Sequence, residues 1–272
     1  MLSRPGGRPS CPSRIRWPRT PRAAIALQKR LRPHLMLTGG PRAPKTVAGA
    51  DLSYDLATDH LYAVVVVLGF PSLRILETAS VSRRVTFPYV PGLLSFREAP
   101  AVLAAWRRLK RPADLLLCDG QGIAHPRGIG LASHLGLLLD VPTIGCAKSL
   151  LVGTHGPLGR RRGSTAPLRH DGRVVGAAVR TRAGVNPLYV SPGHRIGIAA
   201  AVRLALACGG GFRVPEPTRL ADRLVGRLRR GAAAAGGREN AVLESDRLDV
   251  PHFSSAIRPP HGARPRMAPE QS

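Results

Sequence analysis

Between residues 46 and 82 the chain carries three β-rich runs, "TVAGADLSYD", "HLYAVVVVLGF" and "LRILETASVS", separated only by "LATD" and "PS". Connections this short reach only an adjacent antiparallel strand, so the runs predict a β-meander at the start of a sheet. The middle run is apolar at nearly every position. It is about half the length that a membrane-spanning helix needs, and it reads as a buried strand.

Downstream the pattern changes to alternation. "FPYVPGLLSFREAPAVLAAWRRLK" passes from a proline-bracketed loop into a helix, with Ser95 and Glu98 at capping-box spacing and Pro100 suited to a slightly later start. "ADLLLCDG" is a short strand, buried on both faces if that helix crosses over to it. "IGLASHLGLLLD" predicts a helix, "VPTIGCAK" a strand, "GRVVGAAVRT" and "PLYVSPG" a β-pair, and "RIGIAAAVRLALACGGG" a helix ended by glycines. Upstream, "AAIALQKRLRPHL" has helical spacing until Pro33 stops it. The expected fold class is α/β, a mixed sheet with an antiparallel meander plus parallel strands, flanked by helices. The expected organisation is a disordered basic extension over 1–22, one domain over 23–228 and a disordered tail over 229–272, with no internal repeat.

Charge narrows the partners. Lys and Arg number 41 against 16 Asp and Glu, a formal charge of +25, which favours a polyanion and most simply nucleic acid. Compositional drift in a GC-rich coding sequence would give the same excess, so charge alone names no function. Cys11, Cys118, Cys146 and Cys208 form no CxxC pair, which argues against a zinc site or disulfide framework and for a reducing compartment, the cytoplasm. The first fifty residues contain no acid and many Arg and Pro. An organellar transit peptide, a nucleic-acid-binding arm and an uncleaved disordered extension, or a start codon placed too early, all fit them, whereas the missing apolar core of a signal peptide argues against secretion.

In so basic a chain the carboxylates at element ends stand out: Asp51 in "AGADLSYD", Glu98 in "LSFREAP" and Asp119 in "LLCDGQG". Singly they read as an edge-strand turn, a capping partner and a loop start. Gathered in one pocket they would repel unless a proton or cation lay between them, and a hard divalent ion such as Mg²⁺ takes carboxylate oxygens.

Five collinear stretches carry a resemblance. "VAGADLSYD", "YVPGLLSFREAPAVLAAW", "LLLCDGQGIAHPRGIGLASHLGLLLDVPTIGCAKS", "NPLYVSPGHRIG" and "VPEPTRLAD" closely resemble endonuclease V, the deoxyinosine-directed nuclease family, over roughly 23–228. The resemblance implies a ribonuclease H-like fold and Mg²⁺-dependent DNA repair chemistry, with Mn²⁺ able to stand in. It further implies a nick at the second phosphodiester 3′ to deoxyinosine, leaving 3′-hydroxyl and 5′-phosphate ends. Asp51 and Asp119 match the family's metal-binding aspartates and Glu98 its third catalytic acid. One or two ions would polarise the phosphate and acidify the attacking water. His194, in "SPGHRIG", matches a family histidine close to the metal, and Lys148, in "GCAKS", a lysine that neutralises the scissile phosphate.

Tyr89, held between Pro88 and Pro91, matches the family's strand-separating tyrosine, with Val90 where the usual residue is Ile. A stiff aromatic of this kind can fill the stack vacated by a flipped base. Gly120, Gly122 and Gly128 would let backbone amides approach that base. His125 and His134 are expected in structural or DNA-contact roles. Gln121 departs from the His that many relatives carry, and Arg160, Arg161 and Arg162 would either track phosphate or form a solvated loop. Inosine-specific cleavage of RNA is the alternative activity. A catalytically silent nucleic-acid-binding protein would lack one of the acids, and all three are present. A monomer is expected.

Overall fold

The computed structural model describes residues 17–56 and 58–234. The predicted meander is there: β1 (Thr46–Asp55), β2 (His60–Gly69) and β3 (Ile75–Arg84) pair antiparallel, with Asp51 opposite Val64. Along β2 the side chains alternate between two cores. Tyr62, Val64, Val66 and Leu68 enter one, and Leu61, Ala63, Val65 and Val67 the other, so a strand buried on both faces needs an unbroken apolar run.

α2 (Leu94–Trp106) crosses to β4 (Leu116–Cys118), which lies parallel to β1, and α3 (Leu131–Leu139) crosses to β5 (Thr143–Ala147), parallel to β4. β6 (Thr165–His170), β7 (Arg173–Val179) and β8 (Leu188–His194) complete an eight-stranded sheet of order β3-β2-β1-β4-β5-β8-β7-β6. α2 and α3 cover one face, and α4 (Ile198–Ala207) and α5 (Glu216–Ala234) cover the other. The expected α/β mixed sheet flanked by helices is what forms.

Local readings differ from this fold in several places. Ser95 and Glu98 make no capping box, and α2 begins after Leu93 without a side-chain cap. Both side chains are buried and bonded elsewhere, Ser95 Oγ to His134 Nδ1 at 3.1 Å and Glu98 to Tyr54, so tertiary partners displace the local cap. Pro100 lies inside α2 rather than at its start. β6 went unpredicted because Pro167 argues against a strand, yet β6 is the last strand of the sheet, where a missing donor is tolerated.

The boundaries at 22 and 228 also shift. α1 (Pro21–Leu31) starts behind Thr20, whose hydroxyl accepts from the Ala23 amide at 3.3 Å, and Trp17 already packs edge-on against Phe96. At the other end α5 runs on to residue 234, with Ala232 in the core. The remainder of both predicted tails, and Cys11, lie outside the described residues. No described helix is long and apolar enough to cross a membrane.

Candidate active site

The carboxyl ends of β4 and β5 open beside the middle of β1, because Ala50 pairs with Cys118 and Cys118 with Gly145. Asp51 and Asp119 follow directly from this register, one residue beyond Ala50 and Cys118. Val47 and Gly49 set the face that Asp51 shares, the one covered by α5. A Cβ on Gly49 would lie 2.1 Å from the Pro217 carbonyl, so the start of α5 rests directly on β1. Five residues further along that helix stands Asp222, close enough to act electrostatically on both Asp51 and Lys148.

Burial, the charge of Asp119 and, more weakly, that of Asp222 push the Asp51 carboxyl up to about 7, against relief from the Leu52 backbone and Lys148. Glu98 reaches the cluster from α2. Burial raises it to about 7, although the Tyr54 hydroxyl donates to its Oε1 at 2.8 Å. Arg97 lies 4.8 Å over the Tyr54 ring and helps to hold that pair. Burial by itself would lower the Lys148 ammonium, but its ion pair with Asp119 Oδ2 and the charges of Asp51 and Asp222 outweigh this and raise it.

Among the described residues no three His, Cys, Asp or Glu are drawn tightly enough to cage an ion as they stand. The donor set nonetheless fits a hard dication. It is all carboxylate oxygen, and burial together with the charge of Asp119 holds Asp51 and Glu98 up at about 7, a conflict that a bound dication would relieve.

Beside the acids lies a cavity of about 440 Å³, lined by Tyr89, Pro91, Gly92, Leu94, Asp119 and Gly120 and closed on the far side by the 147–151 loop. Its rim is apolar and open: Tyr89 is 70% exposed, with Leu94, Leu150 and Leu151 also exposed. Pro88 and Pro91 are both exposed on either side of Tyr89. Gln121 spans the cavity's two loops, donating from Nε2 to the Ser149 carbonyl at 3.0 Å. The contact left open at that departure from the family pattern is therefore a loop-to-loop tie.

Three expectations are corrected. His194 is not near the acids: it pairs with Thr143 at the start of β5, whereas Asp119 is level with Cys146, roughly 10 Å further along the sheet. Its Nδ1 accepts from the Met36 amide at 3.3 Å, and its Nε2 lies 3.5 Å from Asp140, which Arg195 grips with two hydrogen bonds. The Gly122 amide faces no ligand either, since it donates to Ser191 Oγ at 2.8 Å, and a Cβ there would lie 2.2 Å from the Pro192 carbonyl. Gly122 is thus a close-packing glycine, and Gly128, whose amide bonds the His125 carbonyl at 2.8 Å, is a turn glycine. Gly120, at φ +144, does line the cavity.

His125 and His134 are buried and pushed down to about 4 by that burial; His125 holds the Gly92 carbonyl and lines the cavity, and His134 meets the Ser95 hydroxyl. Arg160, Arg161 and Arg162 are exposed, and Arg162 donates to the Leu206 carbonyl at 2.8 Å. Asp222 closes the stretch "VPEPTRLAD" and is a functional residue that the sequence reading missed. Its signals in the sequence are that family-like stretch and its place as an acid among the arginines of α5.

A mixed, helix-flanked sheet with Asp119 just past the end of β4, Asp51 within β1 and Glu98 brought in by α2 is the setting of a nuclease of ribonuclease H-like fold, a hydrolase of phosphodiester bonds. The family model described as Endonuclease V matches residues 29–223. An endonuclease V of Roseiflexus sp. (strain RS-1) is 53% identical over 208 residues, 76% of this chain and 93% of the relative. The crystal structure of the endonuclease V of Streptomyces avermitilis superposes with a TM-score of 0.77 at 44% identity, covering 80% of this chain and 96% of that one. That of Ciona intestinalis endonuclease V, in complex with a 24mer DNA containing an inosine followed by a ribo-adenosine, gives 0.67 at 25% identity, covering 76% and 96%. The chain belongs to the endonuclease V family.

Proposed function

We propose that this enzyme is a Mg²⁺-dependent DNA repair endonuclease that nicks the second phosphodiester 3′ to deoxyinosine, leaving 3′-hydroxyl and 5′-phosphate ends. The observation that carries this reading is the cavity itself. It has the volume for one extruded base, an exposed tyrosine at its mouth, and Asp119 and Lys148 in its wall. The inosine-containing DNA bound by the Ciona relative fits such a pocket.

Asp51 and Asp119 would hold the ion, with Glu98 and Asp222 completing the oxygen set. When bound, Mg²⁺ supplies Lewis acidity toward the phosphate and an acidified water. Tyr54 orients Glu98 by donating its hydroxyl to Oε1, and the other carboxylate oxygen would serve the ion or its water. Lys148, exchanging Asp119 for the incoming phosphate, neutralises the scissile group. Tyr89, stiffened by Pro88 and Pro91, takes the place of the extruded base, while Gly120 lets the backbone approach it without a side chain between. We propose a cytoplasmic monomer; free, buried Cys118, Cys146 and Cys208 suit a reducing compartment.

The test is a labelled duplex with one deoxyinosine, incubated with Mg²⁺, with Mn²⁺ and with chelator, beside the matched inosine-containing RNA. Nicking of DNA that requires the ion and disappears in Asp51→Ala and Asp119→Ala supports the reading. Nicking that survives both substitutions overturns the metal assignment, and a strong preference for RNA makes the enzyme an endoribonuclease.

A further inference from the structure

Gln28 is 1% exposed on α1, among Ala24, Leu27 and Leu31, in a small core with Phe87, Leu93, Phe96 and Ile129. An amide in such a place destabilises the fold unless all its hydrogen-bonding capacity is used. Here it is used: Nε2 donates to the Gly92 carbonyl at 3.0 Å and to the Ile129 carbonyl at 3.2 Å, and Oε1 accepts from Arg127 Nε at 2.5 Å. Reversing the amide would set oxygen against two carbonyls, so its orientation is determined.

The Gly92 carbonyl is a hub. It also accepts from Arg127 Nη2 at 2.6 Å and His125 Nε2 at 2.9 Å. The Arg127 amide donates to His125 Nδ1 at 3.1 Å, which keeps the hydrogen of that neutral ring on Nε2, aimed at the hub. Gly92 itself has φ +75, and a Cβ there would lie 2.7 Å from Arg127 Nη2. The hub sits three residues after Tyr89, and on the other side of that tyrosine Arg97 of α2 holds the Phe87 carbonyl at 3.0 Å.

We infer that Gln28 is a positioning residue: by joining α1, the Gly92 carbonyl and Arg127 it braces the loop that carries Tyr89 against the base pocket, so that the tyrosine meets a duplex as a rigid wedge. What Tyr89 does with that rigidity rests on the function proposed above, whereas the brace is a property of the chain alone.

Gln28→Met keeps the volume and removes both donors and the acceptor; Arg127→Lys is the second variant, retaining charge but losing the fork. Hydrogen exchange of the full chain is read first. Amides of 89–93 should exchange at least about tenfold faster in either variant, with β1 and β2 unchanged. Nicking is read second, on deoxyinosine in a duplex and in a single strand. Duplex turnover should fall about tenfold while single-strand turnover stays within about twofold, because an unpaired base needs no wedge. Combining Gln28→Met with Tyr89→Ala should then be no worse than Tyr89→Ala alone. Unchanged exchange, or an equal loss on both substrates, overturns the proposal. If the unaltered enzyme nicks neither substrate, the proposed function fails, and the exchange rates still decide the brace.

Discussion

Asp51 and Glu98 illustrate how single residues set stability against function. Their folded pKa values, both about 7, lie above the ordinary 3.8 and 4.5, so the native state binds more protons than the unfolded chain between those limits. A raised carboxyl leaves stability intact below the unfolded pKa and removes it as pH rises toward 7. Asp51→Asn should therefore stabilise the ion-free protein at pH 8 by on the order of 2 kcal/mol, after allowing for the part of the group that solvent reaches, and so raise its melting temperature. The same substitution should abolish Mg²⁺-dependent nicking. Scanning calorimetry in chelator and in Mg²⁺ checks the stability, since Mg²⁺ should stabilise the native sequence and leave Asp51→Asn nearly unmoved, and the labelled-duplex assay checks the nicking.

Among the elements, α5 supports the site most directly and was the least visible in the sequence. Its first turn rests on Gly49, where an added Cβ meets the Pro217 backbone at 2.1 Å, and no flexible side chain can yield there. Gly49→Ala should thus destabilise the protein by about 3 kcal/mol or more in denaturant titrations. It should also move Asp222 away from Asp51, raising the Mg²⁺ concentration needed for half-maximal nicking. Asp222→Asn should raise that concentration while leaving the folding free energy within about 1 kcal/mol, since the residue is exposed. The meander, α2 and the α3 and α4 helices were legible because their periodicity lies within each segment. β6 and α5 were not, because an edge position and a partner sheet determine them.

For the whole molecule, pH and salt are the informative variables. His125 and His134, lowered from 6.5 to about 4 by burial, must be neutral in the native state. The unfolded chain binds the extra protons between those values, so this contribution is present above pH 6.5 and is lost as pH falls toward 4. The raised carboxyls act in the opposite direction over the same range, so the histidine effect is best read by difference. Relative to His134→Gln, the native sequence should lose stability steadily from pH 6.5 to 4, a trend that melting curves at several pH values would reveal. A formal charge of +25 further predicts that binding to undamaged duplex falls steeply with salt, with a log–log slope of about −4 or steeper in filter-binding or fluorescence titrations.

What the sequence by itself determined was the existence of the sheet, the three acids as a set, and the proline-bracketed tyrosine, because each is written in local pattern or in the spacing of a motif; of those acids only Asp119 follows a strand end, while Asp51 lies within β1 and Glu98 within α2. What only the tertiary structure decided was which of the matched residues share a place. His194 and Lys148 both flank strands of one sheet, but β8 runs antiparallel to β5, so His194 ends at the far edge. Asp222 and Gln28 reach the site from α5 and α1, at opposite ends of the described chain, through contacts that no local spacing encodes. Strand direction and helix docking are properties of the packed whole, fixed by burial of apolar faces against one another, and they turn a row of motifs into a pocket with Asp119 in its wall.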